Sequence, residues 1–166
     1  MSGHYLRERE SWSAQVIILF NVFVLLFVLS GAWLFWLKTG FTVSGVMEYY
    51  AGSETALRYY PDMPDRFINP KTIQGLSKVV LPHMLVYGLV VFITGHLLLS
   101  LSPGRINRYA VGTAFVFAVL DIFAGFLPLL LSPLAGSFIR LVFFYGFTLS
   151  VIFLAARLGL AVLKSS

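Results

Sequence analysis

Four long apolar stretches separated by short polar segments dominate the pattern of hydrophobic and polar positions along this chain. A helix that crosses a bilayer needs about 20 consecutive, mostly apolar residues. The stretches that meet this requirement are residues 14–37, 79–101, 109–131 and 138–163. The pattern therefore predicts an all-α fold, a bundle of four transmembrane helices.

The connections between the last three stretches are short. Residues 102–108 contain a Pro-Gly pair that marks a break, and residues 132–137 leave room only for a tight turn. Short connections make neighbouring helices antiparallel. We therefore expect residues 1–166 to form a single integral-membrane domain without a soluble domain.

The connection between the first two stretches, residues 38–78, is too long for an idle loop. Within it, Val43, Val46, Met47 and Tyr50 recur at helical spacing. This spacing predicts a short amphipathic helix that lies on the membrane surface. The loop then has two interpretations. It is either a lid packed over the mouth of the bundle or a docking surface for a partner subunit or soluble redox protein.

Composition agrees with a lipid environment. Hydrophobic residues make up 58% of the chain and charged residues 11%, whereas soluble domains carry roughly a quarter charged residues. The formal net charge is +5, but the basic residues flank the apolar stretches, as expected for contact with lipid headgroups. The composition therefore predicts that a lipid bilayer surrounds the chain and that the chain has no nucleic-acid partner.

The orientation follows from the two short turns. Arg105 and Arg108 lie in the turn at residues 102–108, whereas the turn at residues 132–137 is uncharged. Because short cytoplasmic loops are enriched in Lys and Arg, both termini are predicted to be cytoplasmic. The loop 38–78 is then extracytoplasmic, and a bacterial inner membrane is the expected location.

The second apolar stretch holds two of the three histidines of the chain, His83 and His96. An ionisable side chain inside a membrane is a functional-site hypothesis by default. Helical geometry places His83, Tyr87 and Thr94 within about 40° of one another. We expect these three to form a polar stripe facing the bundle interior, with Pro82 in the first turn of the span.

Two further ionisable residues fall inside predicted spans. Asp121 is placed near mid-membrane on the third span, and Arg140 about one turn into the fourth. A lone charge there costs several kcal/mol, so an ion pair between Asp121 and Arg140 is predicted. The alternative to a structural ion pair is a proton path or a ligand pocket that uses Asp121. Asn21 shares the depth of His96, and a hydrogen bond between them is expected.

Two histidines on one spanning helix, the second within Gly-His-Leu-Leu, resemble the membrane cytochromes of the b type and the small membrane-anchor subunits of respiratory complexes. The resemblance implies a four-helix core in which neutral imidazoles bind haem b. It implies His83 and His96 as ligands of the haem iron, in surroundings tuned by Tyr87 and Thr94. Arg140 would pair with a haem propionate.

The chain departs from the diheme pattern of that family in two ways. His83 and His96 are 13 residues apart, which rotates them by about 220° on a helix, whereas a haem column needs close to four whole turns. The other predicted spans contain no histidine to oppose them. A homodimer mate or another membrane subunit would supply the second ligand, or one histidine would hold the haem alone.

The function predicted from these features is that of an integral membrane subunit of a redox or respiratory complex, with haem b as its electron-transfer cofactor. Such a subunit is not an enzyme on its own. A quinone pocket near His83, Tyr87 and Asp121 is compatible with this interpretation. The alternatives are a non-catalytic structural or assembly subunit, and a small proton-coupled transporter with Asp121 and His83 as its relay. The chain has no cysteine, which excludes iron–sulfur clusters and thiolate-bound haem.

Overall fold

The structure is a computed structural model that describes the backbone of residues 2–62 and 67–165 and the side chains of 13–62 and 67–164. Within these residues the chain forms seven helices and no strand. They are α1 (Ser2–Thr39), α2 (Val43–Ala51), α3 (Ser53–Tyr59), α4 (Ile73–Leu101), α5 (Arg105–Ala124), α6 (Leu127–Leu130) and α7 (Pro133–Ser165). Helices α1, α4, α5 and α7 are long and apolar enough to cross a membrane. The predicted fold class is confirmed.

The four long helices pack unequally. Helices α5 and α7 share the largest interface, α4 packs against both, and α1 packs mainly on α7 and barely touches α4. Small residues permit the close approaches, because a Cβ added at Gly95 of α4 would overlap the side chain of Val111 on α5. The central core consists of aliphatic side chains and alanines, among them Val91, Leu98, Ala114, Val151 and Leu154.

The bundle has two unlike ends. One end, which we call the loop end, contains two connections. One joins α1 to α4, and the other joins α5 to α7. The opposite end, with the start of the first span, the turn at residues 102–104 and the end of α7, is the termini end. Helices α1 and α5 run from the termini end to the loop end, and α4 and α7 run back.

The predicted amphipathic helix in the long loop is present as α2. The Thr42 hydroxyl accepts a hydrogen bond from the Gly45 amide (3.0 Å) and so caps its first turn. Val46 and Met47 are fully buried, and α2 packs against α1 and α7. The helix therefore covers the loop end of the bundle, as the lid interpretation of this loop expects.

Helix α4 begins earlier than the apolar pattern predicts. It starts at Ile73, where the Thr72 hydroxyl accepts from the Gly75 amide (3.1 Å), rather than near Val79. Pro82 consequently lies inside the helix, and its predicted place in the first turn is wrong. Hydropathy marks where lipid contact begins, whereas the capping residue marks where the helix begins.

Helix α5 ends at Ala124, before the predicted limit at residue 131. Pro128 explains the break, because it has no amide hydrogen to donate and its ring would clash with the carbonyl four residues earlier, that of Ala124. A short helix, α6, follows and leads into α7. Asp121 therefore lies in the last turn of α5, close to the loop end, rather than at the middle of a helix that spans the predicted stretch 109–131.

Candidate functional site

A buried ion pair joins α5 to α7 at the loop end. Arg140 Nη1 donates to Asp121 Oδ1, and both side chains are almost inaccessible to solvent. The ion pair predicted between these two residues is therefore present. Because a buried charge is tolerated only when it is paired, each residue explains the presence of the other in an apolar helix.

Aromatic rings surround the Arg140 guanidinium. Its central carbon lies 5.2 Å from the ring centre of Phe35 and 5.9 Å from that of Phe144, distances at which a cation interacts with a ring. Arg140 Nε donates to the Tyr50 hydroxyl at 3.3 Å. The arginine is thereby held by residues of α1, α2, α5 and α7, and it ties the loop helix α2 to the bundle.

Tyr87 of α4 completes the cluster. Its ring stacks on that of Phe147 at 4.1 Å, and its phenol lies close enough to the Asp121 carboxyl to interact with it. The His83 ring, one turn away, lies 5.4 Å from the Tyr87 ring. We call Tyr50, His83, Tyr87, Asp121 and Arg140 the loop-end cluster.

The predicted inward stripe on α4 is only partly correct. Tyr87 is half-buried and Thr94 is fully buried, but His83 is exposed. Helix α1 packs more on α7 than on α4, and near His83 the two helices border a shared cavity. Thr94 lies farther along α4, and its hydroxyl has no hydrogen-bond partner among the described residues. The stripe therefore separates into an accessible histidine, a cluster tyrosine and a core threonine.

His96 lies away from the loop-end cluster. Its ring is exposed and stacks on Phe92 of the same helix at 6.0 Å between ring centres. The predicted hydrogen bond from Asn21 to His96 is wrong, since Asn21 Nδ2 donates to the Ala155 carbonyl of α7 at 3.0 Å. The two histidines do not converge on one site.

A cavity of about 310 Å³ adjoins the loop-end cluster. Ligand pockets in proteins span about 300–1,000 Å³, so this one suits a small head group. Leu34 of α1 and Val79 of α4 line it and are 54% and 51% exposed. Exposed apolar side chains of α1 and α4 therefore border the mouth of the cavity. Its other lining side chains include Phe35, Lys38, Tyr49, Tyr50, His83, Tyr87, Asp121, Phe126, Arg140 and Phe144.

Two lysines lie at the side of the cavity formed by α2. Lys71 Nζ lies 4.4 Å from the centre of the Tyr49 ring, and Lys38 Nζ lies 5.4 Å from it. Sequence reasoning missed this arrangement, and it missed Tyr50 as a partner of Arg140. The apolar face of the loop helix could have indicated this contact, because a face that contains Val46 and Met47 is expected to pack against other helices.

The site can be tested for fit to a haem. Of the two predicted iron ligands, only His83 borders the cavity. His83 Nδ1 lies 2.7 Å from the Val79 carbonyl oxygen, which leaves Nε2 for another partner. The described residues contain no group of three potential metal ligands. Among the described residues, His83 is therefore the only histidine that borders the cavity, and no second histidine faces it there.

Four long apolar helices, with a helical loop folded over one end, define an integral membrane protein of the helical-bundle class. The chain belongs to the Aq_1264_TM family of transmembrane helical domains, and the family model matches residues 40–166. The matched region contains the loop helices and α4 to α7, and it starts directly after α1. No curated protein and no solved structure matches the chain.

Proposed function

We propose that this domain is a membrane subunit of a redox complex and that its loop-end cavity binds the head group of a quinone from the bilayer. The cavity itself carries the proposal. It combines aromatic walls with phenol and imidazole groups, and it opens between two membrane-spanning helices. A ligand dissolved in the membrane would reach it without crossing water.

The buried part of the site favours a neutral ligand, and the exposed Lys38 adds a positive charge at the cavity wall. Asp121 and Arg140 neutralise each other, so the floor of the cavity offers polar groups without a net buried charge.

Quinone carbonyl oxygens accept hydrogen bonds, which the Tyr87 hydroxyl can donate. His83 Nδ1 already donates to the Val79 carbonyl, so His83 Nε2 donates only when both ring nitrogens carry a proton. The rings of Phe35 and Phe144 present flat surfaces, and offset stacking on such rings contributes about 0.5–1.5 kcal/mol.

Reduction of a quinone to a quinol takes up electrons and protons in equal number. The loop-end cluster contains groups that exchange protons, of which His83 is the accessible one. General acids act when they lie within hydrogen-bonding reach of the atom that gains the proton. The electrons would come from a redox centre on a partner subunit. In this proposal the domain therefore anchors that partner to the membrane as part of a larger complex.

Binding of haem b at His83 is the second candidate function. A metal-bound imidazole commonly donates its other ring N–H to a backbone carbonyl, and the contact between His83 Nδ1 and the Val79 oxygen has this form. A homodimer mate or another subunit would provide the opposing ligand. A reduced-minus-oxidised visible spectrum tests this candidate, because a b-type band that disappears in His83→Ala would support it.

Fluorescence quenching tests the quinone proposal. Trp33 and Trp36 lie on α1 beside the cavity residues Leu34 and Phe35, and a quinone bound there quenches their emission. We expect saturable quenching when decylubiquinone is titrated into the full chain in nanodiscs. His83→Ala and Tyr87→Phe should weaken binding about tenfold, as expected for a lost hydrogen bond of about 1.4 kcal/mol.

His96→Ala is the matched control, since it removes an exposed histidine from the same helix at the opposite end. Its quinone affinity should equal that of the unmodified chain. Quenching that rises linearly with quinone concentration, and equally in all four proteins, would contradict the proposal because it indicates only partitioning into the lipid.

A further inference from the structure

A second arginine of α7 lies at the termini end. Arg157 follows Arg140 by 17 residues, which places it about 25 Å farther along the helix. The hydrocarbon core of a bilayer is about 30 Å thick. When Arg140 lies near one boundary of the core, Arg157 therefore lies near the other, at the depth of the lipid phosphates and glycerol groups.

A buried amide orients Arg157. Its Nε donates to Asn107 Oδ1 at 3.1 Å, and Asn107 is 1% exposed. Asn107 Nδ2 in turn donates to the Ser102 carbonyl at 2.7 Å. This chain of contacts fixes the guanidinium by one nitrogen and leaves its two terminal amino groups for other acceptors. A guanidinium held in this way matches the two oxygens of a phosphate.

The protein partner of Arg157 does not neutralise it. Asn107 is a neutral amide, and the acidic side chains that the structure describes, Glu48, Glu54, Asp62 and Asp121, all lie at the loop end. A half-buried cation at a membrane boundary costs free energy unless an anion is near. Within the described residues the protein supplies no anion here, whereas Glu8 and Glu10 lie outside the described side chains; a lipid phosphate is a counter-ion that can neutralise it.

The first turn of α5 adds to the attraction for an anion. Helix α5 begins at Arg105, and its N-cap residue Gly104 provides no side chain to satisfy the first amides. Arg105 and Arg108 are both exposed there, two residues before Asn107 and one residue after it. Free amides and basic side chains at a helix start favour phosphate.

We propose that Arg157 and the first turn of α5 form a binding site for the phosphate of an anionic phospholipid at the termini end of the bundle. The site is independent of the loop-end cavity and of the quinone proposal. Its ligand is the phosphodiester of a lipid, which is anchored by its acyl chains beside the exposed apolar side chains of α5 and α7.

Native mass spectrometry of the full chain tests this site. The protein is released from detergent after incubation with equal amounts of phosphatidylglycerol and phosphatidylcholine, and the retained lipids are counted. The unmodified chain should retain phosphatidylglycerol in preference. Arg157→Gln should lower that retention about tenfold, whereas Lys164→Gln, which removes an exposed basic residue near the end of α7, should change it less than twofold.

Two further arms keep the result decisive. Arg157→Lys keeps the charge but loses the two-pronged donor, so its retention of phosphatidylglycerol should fall between that of the unmodified chain and that of Arg157→Gln. If Arg157→Gln does not fold, Arg157→Lys takes its place. Excess inorganic phosphate should not displace the lipid. Equal retention by Arg157→Gln, Arg157→Lys and the unmodified chain would overturn the proposal, as would full displacement by inorganic phosphate.

Discussion

The two ends of this bundle use the same pair of helices for opposite purposes. At each end, a residue of α5 contacts an arginine of α7: Asp121 contacts Arg140, and Asn107 contacts Arg157. The carboxylate neutralises its arginine, whereas the amide only orients it. The loop end therefore contains a neutral cluster beside a cavity, and the termini end presents a positive charge to the lipid.

The region between the two ends has few buried polar side chains. Among the described side chains buried there, Thr94 is the only polar one, and the rest of the core is aliphatic or aromatic. A proton moving across the membrane through the bundle would need polar groups or water along its path. Among the described residues, the two ends therefore form separate sites.

The largest expected effect comes from breaking the neutral pair. Arg140→Leu leaves the Asp121 carboxyl buried without its partner, and removal of one member of a buried pair costs about 3–5 kcal/mol. We expect a correspondingly large loss of stability in unfolding measurements in detergent. Arg157→Leu should cost less than half as much, because Asn107 carries no charge. Equal losses in the two variants would contradict the comparison between the ends.

Making the termini end resemble the loop end gives a sharper test. Asn107→Asp supplies the carboxylate that Arg157 lacks and keeps the size of the side chain. The new pair should be self-neutralising, so preference for phosphatidylglycerol should fall about tenfold, as in Arg157→Gln. Lipid retention measured by native mass spectrometry reports the change. Unchanged preference in a folded Asn107→Asp protein would show that the charge of Arg157 does not select the lipid.

The smallest effect concerns the attachment of the loop helix. Tyr50→Phe removes only the hydroxyl that accepts from Arg140, a loss of about 1 kcal/mol. Hydrogen exchange of α2 should become faster by about fivefold. Tyr49→Phe is the control, since the contacts of this neighbouring tyrosine with Lys38 and Lys71 involve its ring. Equal acceleration in both variants would show that Tyr50 does not anchor the helix.

Much of this architecture follows from the sequence because lipid imposes simple rules. The four apolar stretches predict four spanning helices, and the cost of a lone charge predicts the pairing of Asp121 with Arg140. The spacing in the long loop also predicts α2. These inferences depend on composition and on one-dimensional spacing, which a single sequence contains.

Other features depend on how the helices pack and are not encoded in spacing. Helical geometry groups His83 with Thr94, but α1 packs more on α7 than on α4, and His83 is exposed. The same choice directs Asn21 to Ala155 rather than to His96. The cavity and the insertion of Tyr50 beside Arg140 likewise arise from contacts between residues far apart along the chain.

The most direct test of the central claim is to locate a bound quinone. A photoreactive azidoquinone is added to the full chain in nanodiscs, irradiated, and the labelled peptides are identified by mass spectrometry. Labelling should concentrate in residues 31–38 of α1 and 76–87 of α4, which border the cavity, and excess decylubiquinone should suppress it. Labelling spread over the lipid-facing surface of all four spanning helices, and unaffected by the competitor, would contradict the account.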